Sequence, residues 1–473
     1  MTTISGSATT ISGRDRMFLA FDTPRTRQHV AFVATLGLPH GAEPGHLGRT
    51  LWRMRAAQPV APPFNYRLPR RRAPWLARAW EVVADSAIDL RHHVRCHTLR
   101  PPGDMNELAR AVSLLHSSPL DPARPLWEMH LIGGLNAAAD EHFALYFKFH
   151  HALLDGEGCL RRLRHMLSAD PADDAMRPLW GVVPAPPAGA QDTASRPGGV
   201  EGAPGLVTGP GAPGVVTGPR RGEPDDSISQ QQRRRRRIMP FTATRTVLNG
   251  RIGPSRAVAM SSYDLDRLRR VAGASGATVN EVLLAVCGSG LRVYLNDRGE
   301  LPRHSLSAGV PMSVREPTDL RAANVFTLMV IDLATDVADP VERLRRIVRA
   351  SDKAKSDLRA MSRSAAERHG ARISVPLVLQ HLVGLAGRVP PPYNVVVSNV
   401  PGRGRPSYFL GAKLKAVYAL GSLCHGTALF MAACSSNGRL HLTITADRDT
   451  FPDLRRLRVH TDEALDELTR RAG

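Results

Sequence analysis

The residues most able to do chemistry in this 473-residue chain sit together in His150-His151-Ala-Leu-Leu-Asp155-Gly156. A neutral imidazole can take the proton of a hydroxyl as its oxygen attacks a carbonyl, because the ordinary histidine pKa of about 6.5 lies near working pH. A carboxylate a turn away can fix the ring or brace the loop. A glycine beside it admits backbone conformations that other residues resist. Other readings compete. Two histidines and an aspartate could hold a metal ion, although neighbouring strand residues point to opposite faces and share one ion poorly. A serine hydrolase would need a nucleophile elbow, and no GxSxG occurs in the chain. The pair could also be plain packing, as buried histidines often are. Spacing alone leaves proton transfer and packing both open.

Two elements must position the segment. Phe143, Leu145, Phe147 and Phe149 alternate with Ala144, Tyr146 and Lys148, a period of two that predicts a strand. After Gly158, Leu160, Leu163, Met166 and Leu167 fall at helical spacing opposite Arg161, Arg162 and Arg164. His150 to Gly156 therefore joins a strand's end to a helix's start.

The chain is too long for one ordinary core and predicts two domains. The division is visible in composition. From about residue 171 to 240, Pro, Gly, Ala and Thr dominate, and Gly202-Ala-Pro-Gly-Leu-Val-Thr-Gly-Pro210 is nearly repeated by residues 211–219. Such a stretch cannot bury a core and reads as a disordered linker. It separates an N-terminal domain, 1–170, from a C-terminal domain, 241–473. In the second, Asp264 to Val271 and Thr278 to Leu295 read as helices, and Leu440 to Thr445 as a strand. Val395 to Val397 leads into Ser398-Asn-Val-Pro-Gly402, which reads as a turn-like end. Strands and helices mix in both halves, so the expected class is α/β (α+β).

The formal net charge of +20, mostly arginine, favours anionic partners such as a nucleotide phosphate or an acidic membrane face. No helix-turn-helix, zinc-finger or RRM-like signature accompanies it, so nucleic acid is not expected. Arg67, Arg70, Arg71 and Arg72 form one cluster and Arg233 to Arg237 another, the latter a polybasic tether or a solvated run. Five scattered cysteines without a CxxC pair argue against a disulfide framework or a structural zinc and predict free, buried thiols. The start of the chain carries no signal-like segment. Its longest uncharged stretch in a folded-looking region, Ile373 to Gly387, falls short of a membrane span and reads best as a buried core helix, with a helix that lines a lipid tunnel or rests on a membrane as the other reading. The expectation is a cytoplasmic chain that is soluble, or at most peripheral on a membrane face or lipid body.

HHxxxDG at a strand's end resembles the active-site signature of the coenzyme-A-dependent acyltransferase superfamily, and the chain resembles one branch of it nearly end to end: the bacterial wax ester synthase / acyl-CoA:diacylglycerol acyltransferase family. Asp22-Thr-Pro24 with His29-Val30 resembles the family's opening strand. Trp80, Asp89-Leu90 and His93-Val94 resemble the segment before its first long helix, and Pro119-Leu-Asp121 with Arg124-Pro-Leu-Trp-Glu128 its PLW motif. Leu248-Asn249, Thr278-Val-Asn280, Pro311-Met-Ser-Val-Arg315, Asn324 and Ser398-Asn-Val-Pro-Gly402 continue the likeness.

The resemblance implies two chloramphenicol-acetyltransferase-like domains with the reaction in a tunnel between them. It implies long-chain acyl transfer from acyl-CoA, a co-substrate rather than a resident cofactor, to diacylglycerol or a long-chain alcohol. His151 matches the proton acceptor, Asp155 a bracing residue, and His150 and Gly156 positions that shape the motif. Asn280 matches the Asn of an Asn-Asp pair, but Glu281 follows it here, so that motif is altered. Ser398 and Asn399 are candidates for meeting the oxyanion, or for a turn cap. A condensing enzyme that uses a carrier-protein thioester and a non-catalytic lipid-binding protein are the alternatives.

Overall fold

The computed structural model describes residues 9–39, 41–69, 76–137, 140–182, 243–313, 326–359, 375–400, 402 and 404–472. Most of the expected linker lies outside the described residues. So do Arg70 to Arg72, Arg233 to Arg237, Arg315 and Asn324.

The N-terminal lobe carries helices α1 (Gly13–Phe21), α2 (His46–Ala56), α3 (Leu90–His93), α4 (Met105–Ser117) and α5 (Gly156–Met166). A small sheet is formed by β1 (Thr9–Thr10), β3 (Tyr66–Arg67) and β4 (Ala79–Val82). The main N-terminal sheet contains β2 (His29–Gly37), β5 (Val94–Thr98), β6 (Trp127–Ala137) and β7 (Asp140–His150). The C-terminal lobe has helices α6 (Leu265–Ala274), α7 (Val279–Asp297), α8 (Pro340–Arg359), α9 (residues 375–382) and α10 (Leu454–Ala472). Its sheet is ordered β10-β9-β11-β14-β15-β8. Those strands are β8 (Arg256–Asp264), β9 (Ser307–Ser313), β10 (Phe326–Asp332), β11 (Val395–Val400), β14 (Leu429–Ser436) and β15 (Arg439–Asp447).

The remaining strands, β12 (Tyr408–Phe409) and β13 (Ala412–Leu420), cross over. They complete the N-terminal sheet, ordered β12-β13-β2-β7-β6-β5, with β13 antiparallel to β2 from Lys413 opposite Gly37 to Leu420 opposite Ala31. The boundary expected from composition therefore needs correction. Residues 408–420 belong structurally to the first lobe. So does the start of the expected linker, because Leu179 and Trp180 are buried and Trp180 stacks on Trp127 with ring centroids 5.1 Å apart.

β7 is buried on both faces, which its alternation did not require. Phe143, Leu145, Phe147 and Phe149 join the N-terminal core. Ala144 and Tyr146 join a third apolar cluster with Val33 and Val112 of the first lobe, Val258 and Met260 of the second, and Tyr418 and Leu420 of the crossing segment. Each large apolar side chain withdrawn from water there contributes about 1.5–3 kcal/mol, and this shared cluster holds the lobes together. β8 ends the C-terminal sheet, and α4 covers it. Ser117 Oγ accepts from Arg256 N at 2.8 Å and Ser113 Oγ from Val258 N at 2.9 Å, so the edge strand's free N–H groups are satisfied across the interface.

Other expectations are revised as well. Ser398 to Val400 continue β11 and pair with Ala432 to Cys434 instead of turning, because the parallel ladder to β14 supplies their partners. The helix within the apolar run, α9, is not a core helix: Val375, Leu379, Leu382 and Val383 are exposed. Of the five free cysteines, Cys159, Cys287 and Cys434 are buried, Cys96 is exposed and Cys424 is half-buried. No single helix among the described residues is long and apolar enough to cross a membrane. The bent pair α6–α7 passes such a test by composition, but most of α7 is buried core.

Candidate active site

The site starts from the end of β7. β2 pairs with it in register, His29 opposite His150, so the last rungs of the ladder fix where the chain leaves the sheet. His151 N donates to Gln28 O at 2.8 Å, one step past the ladder. The chain then turns through Ala152 to Leu154, all buried, and enters α5. Asp155 is the helix N-cap, with Oδ1 accepting from Gly158 N at 2.7 Å, and it satisfies an N–H that the first turn leaves open. The carboxylate thus braces the junction.

Gly156, expected to supply unusual backbone freedom, does not. Its φ is not positive, and a Cβ there would meet nothing within 4 Å. The constrained glycine is Gly158, where a Cβ would lie 2.6 Å from Leu154 Cδ1 and 3.0 Å from Asp155 Oδ1.

The two histidines face different surroundings. His150 is buried; its Nδ1 accepts from Ala152 N at 3.1 Å, and its Nε2 lies 3.8 Å from Asp22 Oδ2. Desolvation, helped by His151 and Arg27, pushes its pKa down to about 3, so the ring is neutral and its proton resides on Nε2, toward Asp22. Asp22 in turn accepts from Gln28 N at 3.1 Å, and burial raises its carboxyl above the usual range against Gln28 and Arg27. His151 lies flat on Phe18 of α1, with centroids 3.9 Å apart and planes 9° apart; the residue is half-buried and its Nδ1 is wholly buried. Burial lowers its pKa as well, opposed by its own backbone and by Asp155 and Asp15. A neutral imidazole held in place is suited to accept a proton. The His pair does not converge on a common point, and no group of three or more His, Cys, Asp or Glu side chains among the described residues could hold a metal ion.

The second lobe approaches from the other side. Gln28 Nε2 donates to Leu423 O of the segment after β13, at 3.3 Å, so the residue that anchors His151 also binds the far wall. One turn along α1 from Phe18, Phe21 packs against His381 of α9 at 4.3 Å. Phe18, Phe21, Asp22 and Gln28 were not singled out from sequence as parts of the site. They reach it through α1 and the loop after it, and no local pattern announces a helix folding back on a strand 120 residues later. The only signal was the likeness of Asp22-Thr-Pro24 to a family segment.

The other candidates sit on α7, β11 and β3. Asn280 is half-buried in the first turn of α7. Glu281 is committed locally: it closes a capping box with Thr278, and its carboxylate pairs with Lys355 of α8 at 2.6 Å, which holds its pKa below the usual range despite burial. Ser398 and Asn399 are half-exposed on β11. Arg67 pairs with Glu81 at 2.8 Å.

Comparison with known proteins gives this geometry its context. Residues 11–283 match the wax ester synthase/diacylglycerol acyltransferase catalytic domain, and residues 322–469 match the WS/DGAT C-terminal domain. The chain belongs to the WS/DGAT family. It is 35% identical, over 99% of both chains, to a putative diacylglycerol O-acyltransferase of Mycobacterium tuberculosis. It is 34% identical to a probable one from the same organism, over 97% of this chain and 98% of that one. The wax ester synthase/diacylglycerol acyltransferase of Marinobacter aquaeolei VT8 superposes with a TM-score of 0.77 at 32% identity, covering 98% of this chain and all of that one. A condensation domain of the calcium-dependent antibiotic synthetase shares the fold at TM-score 0.55 and 16% identity, a likeness of architecture alone. This WS/DGAT member is accordingly an acyltransferase of the two-lobed α/β type, and the carrier-protein alternative is not favoured.

Proposed function

We propose that the protein transfers a long-chain acyl group from acyl-CoA to the free hydroxyl of diacylglycerol, with His151 as general base. The observation that carries the reading is the state of His151: stacked on Phe18, tied by its backbone through Gln28 to both lobes, half-buried rather than fully buried as a residue, and kept neutral by burial. His151 takes the hydroxyl proton as the oxygen attacks the thioester carbonyl. The tetrahedral oxyanion collapses, the C–S bond breaks, and the imidazolium returns its proton to the departing thiolate. Direct transfer needs neither a covalent acyl-enzyme nor a resident cofactor; acyl-CoA is the co-substrate. His150 and Asp155 act as positioning residues, one fixing the strand's exit and the other the helix cap. Ser398 and Asn399 remain candidate donors to the oxyanion, and Asn280 a candidate substrate contact. Diacylglycerol is preferred as acceptor because the relatives at 34–35% identity bear that name. The test is CoA release from palmitoyl-CoA with dioleoylglycerol or hexadecanol. Release with dioleoylglycerol, forming triacylglycerol, is expected. Release with hexadecanol alone would make the protein a wax ester synthase, and release with neither would remove the catalytic reading.

A further inference from the structure

Ten large apolar side chains among the described residues are exposed, and they are not scattered evenly. Trp52, Leu76, Leu114, Val182 and Val293 lie far apart in sequence. The other five fall within α9 and the turn after it: Val375 at 61% exposure, Leu379 at 57%, Leu382 at 58%, Val383 at 55% and Leu385 at 45%. Positions 375, 379, 382 and 383 follow the i, i+4, i+7, i+8 spacing of one helix face. No Asp, Glu, Lys or Arg interrupts the chain from 375 to 387. A contiguous apolar face of this kind on a folded chain marks an interaction surface.

The rim of that face is cationic. Arg388 follows directly and is exposed. Arg245, also exposed, donates to the main-chain oxygens of Gly387 at 2.8 Å and Arg388 at 3.1 Å, so its guanidinium is tied to the end of the segment. Arg251 is brought alongside by close backbone packing: a Cβ on Gly387 would lie 2.9 Å from Arg251 N. None of the three makes an ion pair among the described residues. An apolar face with a cationic rim matches the boundary between acyl chains and anionic headgroups.

The inner face of α9 points to the chemistry. His381 packs on Phe21 at 4.3 Å, and one helical turn away Phe18 lies on His151 at 3.9 Å. A single layer of α1 thus separates the exposed face from the ring assigned as base.

We propose that α9 and the turn after it, residues 375–385, form a docking face for an anionic phospholipid surface, seated so that a membrane-dissolved acceptor enters beside α1 toward His151. This rests on the diacylglycerol acyltransferase reading above, since it names where that acceptor is collected. The apolar side chains enter the acyl boundary while Arg245, Arg251 and Arg388 meet phosphate groups.

The experiment uses the full chain and vesicles of phosphatidylcholine with about one third phosphatidylglycerol, a composition that supplies the anionic surface. The wild type is expected to cosediment with them, more weakly as salt rises. Leu379→Gln/Leu382→Gln/Val383→Gln, all surface changes, should lower the partition coefficient by about tenfold or more. It should keep wild-type circular dichroism and wild-type CoA release with a short-chain diacylglycerol dispersed below its micellar limit. Arg251→Gln/Arg388→Gln should weaken binding several-fold and flatten its salt dependence. Trp52→Gln, on a remote exposed aromatic, should change nothing. Failure of the wild type to bind, or undiminished binding by the triple variant, overturns the proposal. So does loss of self-association in the triple variant without loss of vesicle binding, which would make the face a contact between copies. If the wild type binds vesicles but releases no CoA with the dispersed acceptor, the enzymatic reading fails while the docking face stands.

Discussion

The two six-stranded sheets end their inner strands in different ways. In the N-terminal sheet, β7 leaves its ladder through an open loop into a capped helix, and the first residue beyond the strand is the half-buried His151. In the C-terminal sheet, β14 closes directly onto β15 through Asn437 and Gly438, both at positive φ (50° and 72°), a tight hairpin with no loop between the strands beyond that turn. Their buried polar residues differ too. The N-terminal lobe buries His29, His116, His130 and His150, with Lys148 3.2 Å from Glu128. The C-terminal sheet buries mostly hydroxyls, Ser436, Thr443 and Thr445, with His441 held by Ser262 and Ser436. On the proposed reading, one lobe carries the proton chemistry and the other supplies a wall.

The sharpest way to break that comparison is to remove one histidine from each lobe. His151→Ala should lower kcat for CoA release by about 10³, within the usual range for loss of a general base. His441→Ala should leave kcat within about twofold and lower the urea midpoint instead, because it strips two serine partners. Equal losses of kcat in both would end the division of labour.

Acid should unfold the protein through the first lobe's histidines. Burial depresses His29 well below 6.5 and takes His116 and His150 down to about 3. The unfolded chain takes up those protons below about 6.5 and the folded one does not. Stability is therefore full above that pH and falls toward pH 3, by about 1.4 kcal/mol per unit for each group once the unfolded form is protonated. Urea midpoints followed by circular dichroism between pH 7.5 and 5, about two and a half units spanning that pKa, should hold to about pH 6.5 and drop below it. A flat profile would show that these rings are solvated.

Paired aromatic deletions sharpen the contrast further. Phe18→Ala should cost about 3 kcal/mol of stability and roughly tenfold in kcat, because it frees the imidazole that the ring holds flat. Phe451→Ala, which removes a stack on Tyr294 at 5.5 Å in the other lobe, should cost similar stability and no kcat at constant folded fraction. The smallest effect belongs to Glu281→Gln. It weakens a pair whose lysine is a quarter exposed and should cost about 1 kcal/mol with unchanged kcat, whereas a fall in kcat would give that carboxylate a role beyond its cap.

What was legible in the sequence was local. The alternation of residues 143–149 and the helical spacing after Gly158 placed β7, α5 and the loop between them, because backbone period is written in neighbouring side chains. The apolar run from Thr278 to Leu295 marked α7, which spans Val279–Asp297. The remainder depended on distant partners. Residues 408–420 carry no mark that their strand belongs to the other lobe's sheet, since pairing is decided by a β2 edge nearly 380 residues upstream. Leu179 and Trp180 looked like linker because Pro and Gly surround them, yet Trp127 holds them. The apolar run at α9 looked like core because hydropathy reports composition and not which face meets protein. Gly156 drew notice by its place in the motif, while the crowded glycine is Gly158, a distinction that only packing reveals.

The most direct test of His151 as the base is the pH dependence of kcat/KM for CoA release with diacylglycerol, because it reads the ring's protonation in the intact protein. Protonating the base stops catalysis, and burial lowers its pKa from 6.5, so the rate should hold through pH 6.5 and fall on a single acid limb below it. A limb centred at or above 6.5, or the same limb persisting in the residual activity of His151→Ala, would contradict the account.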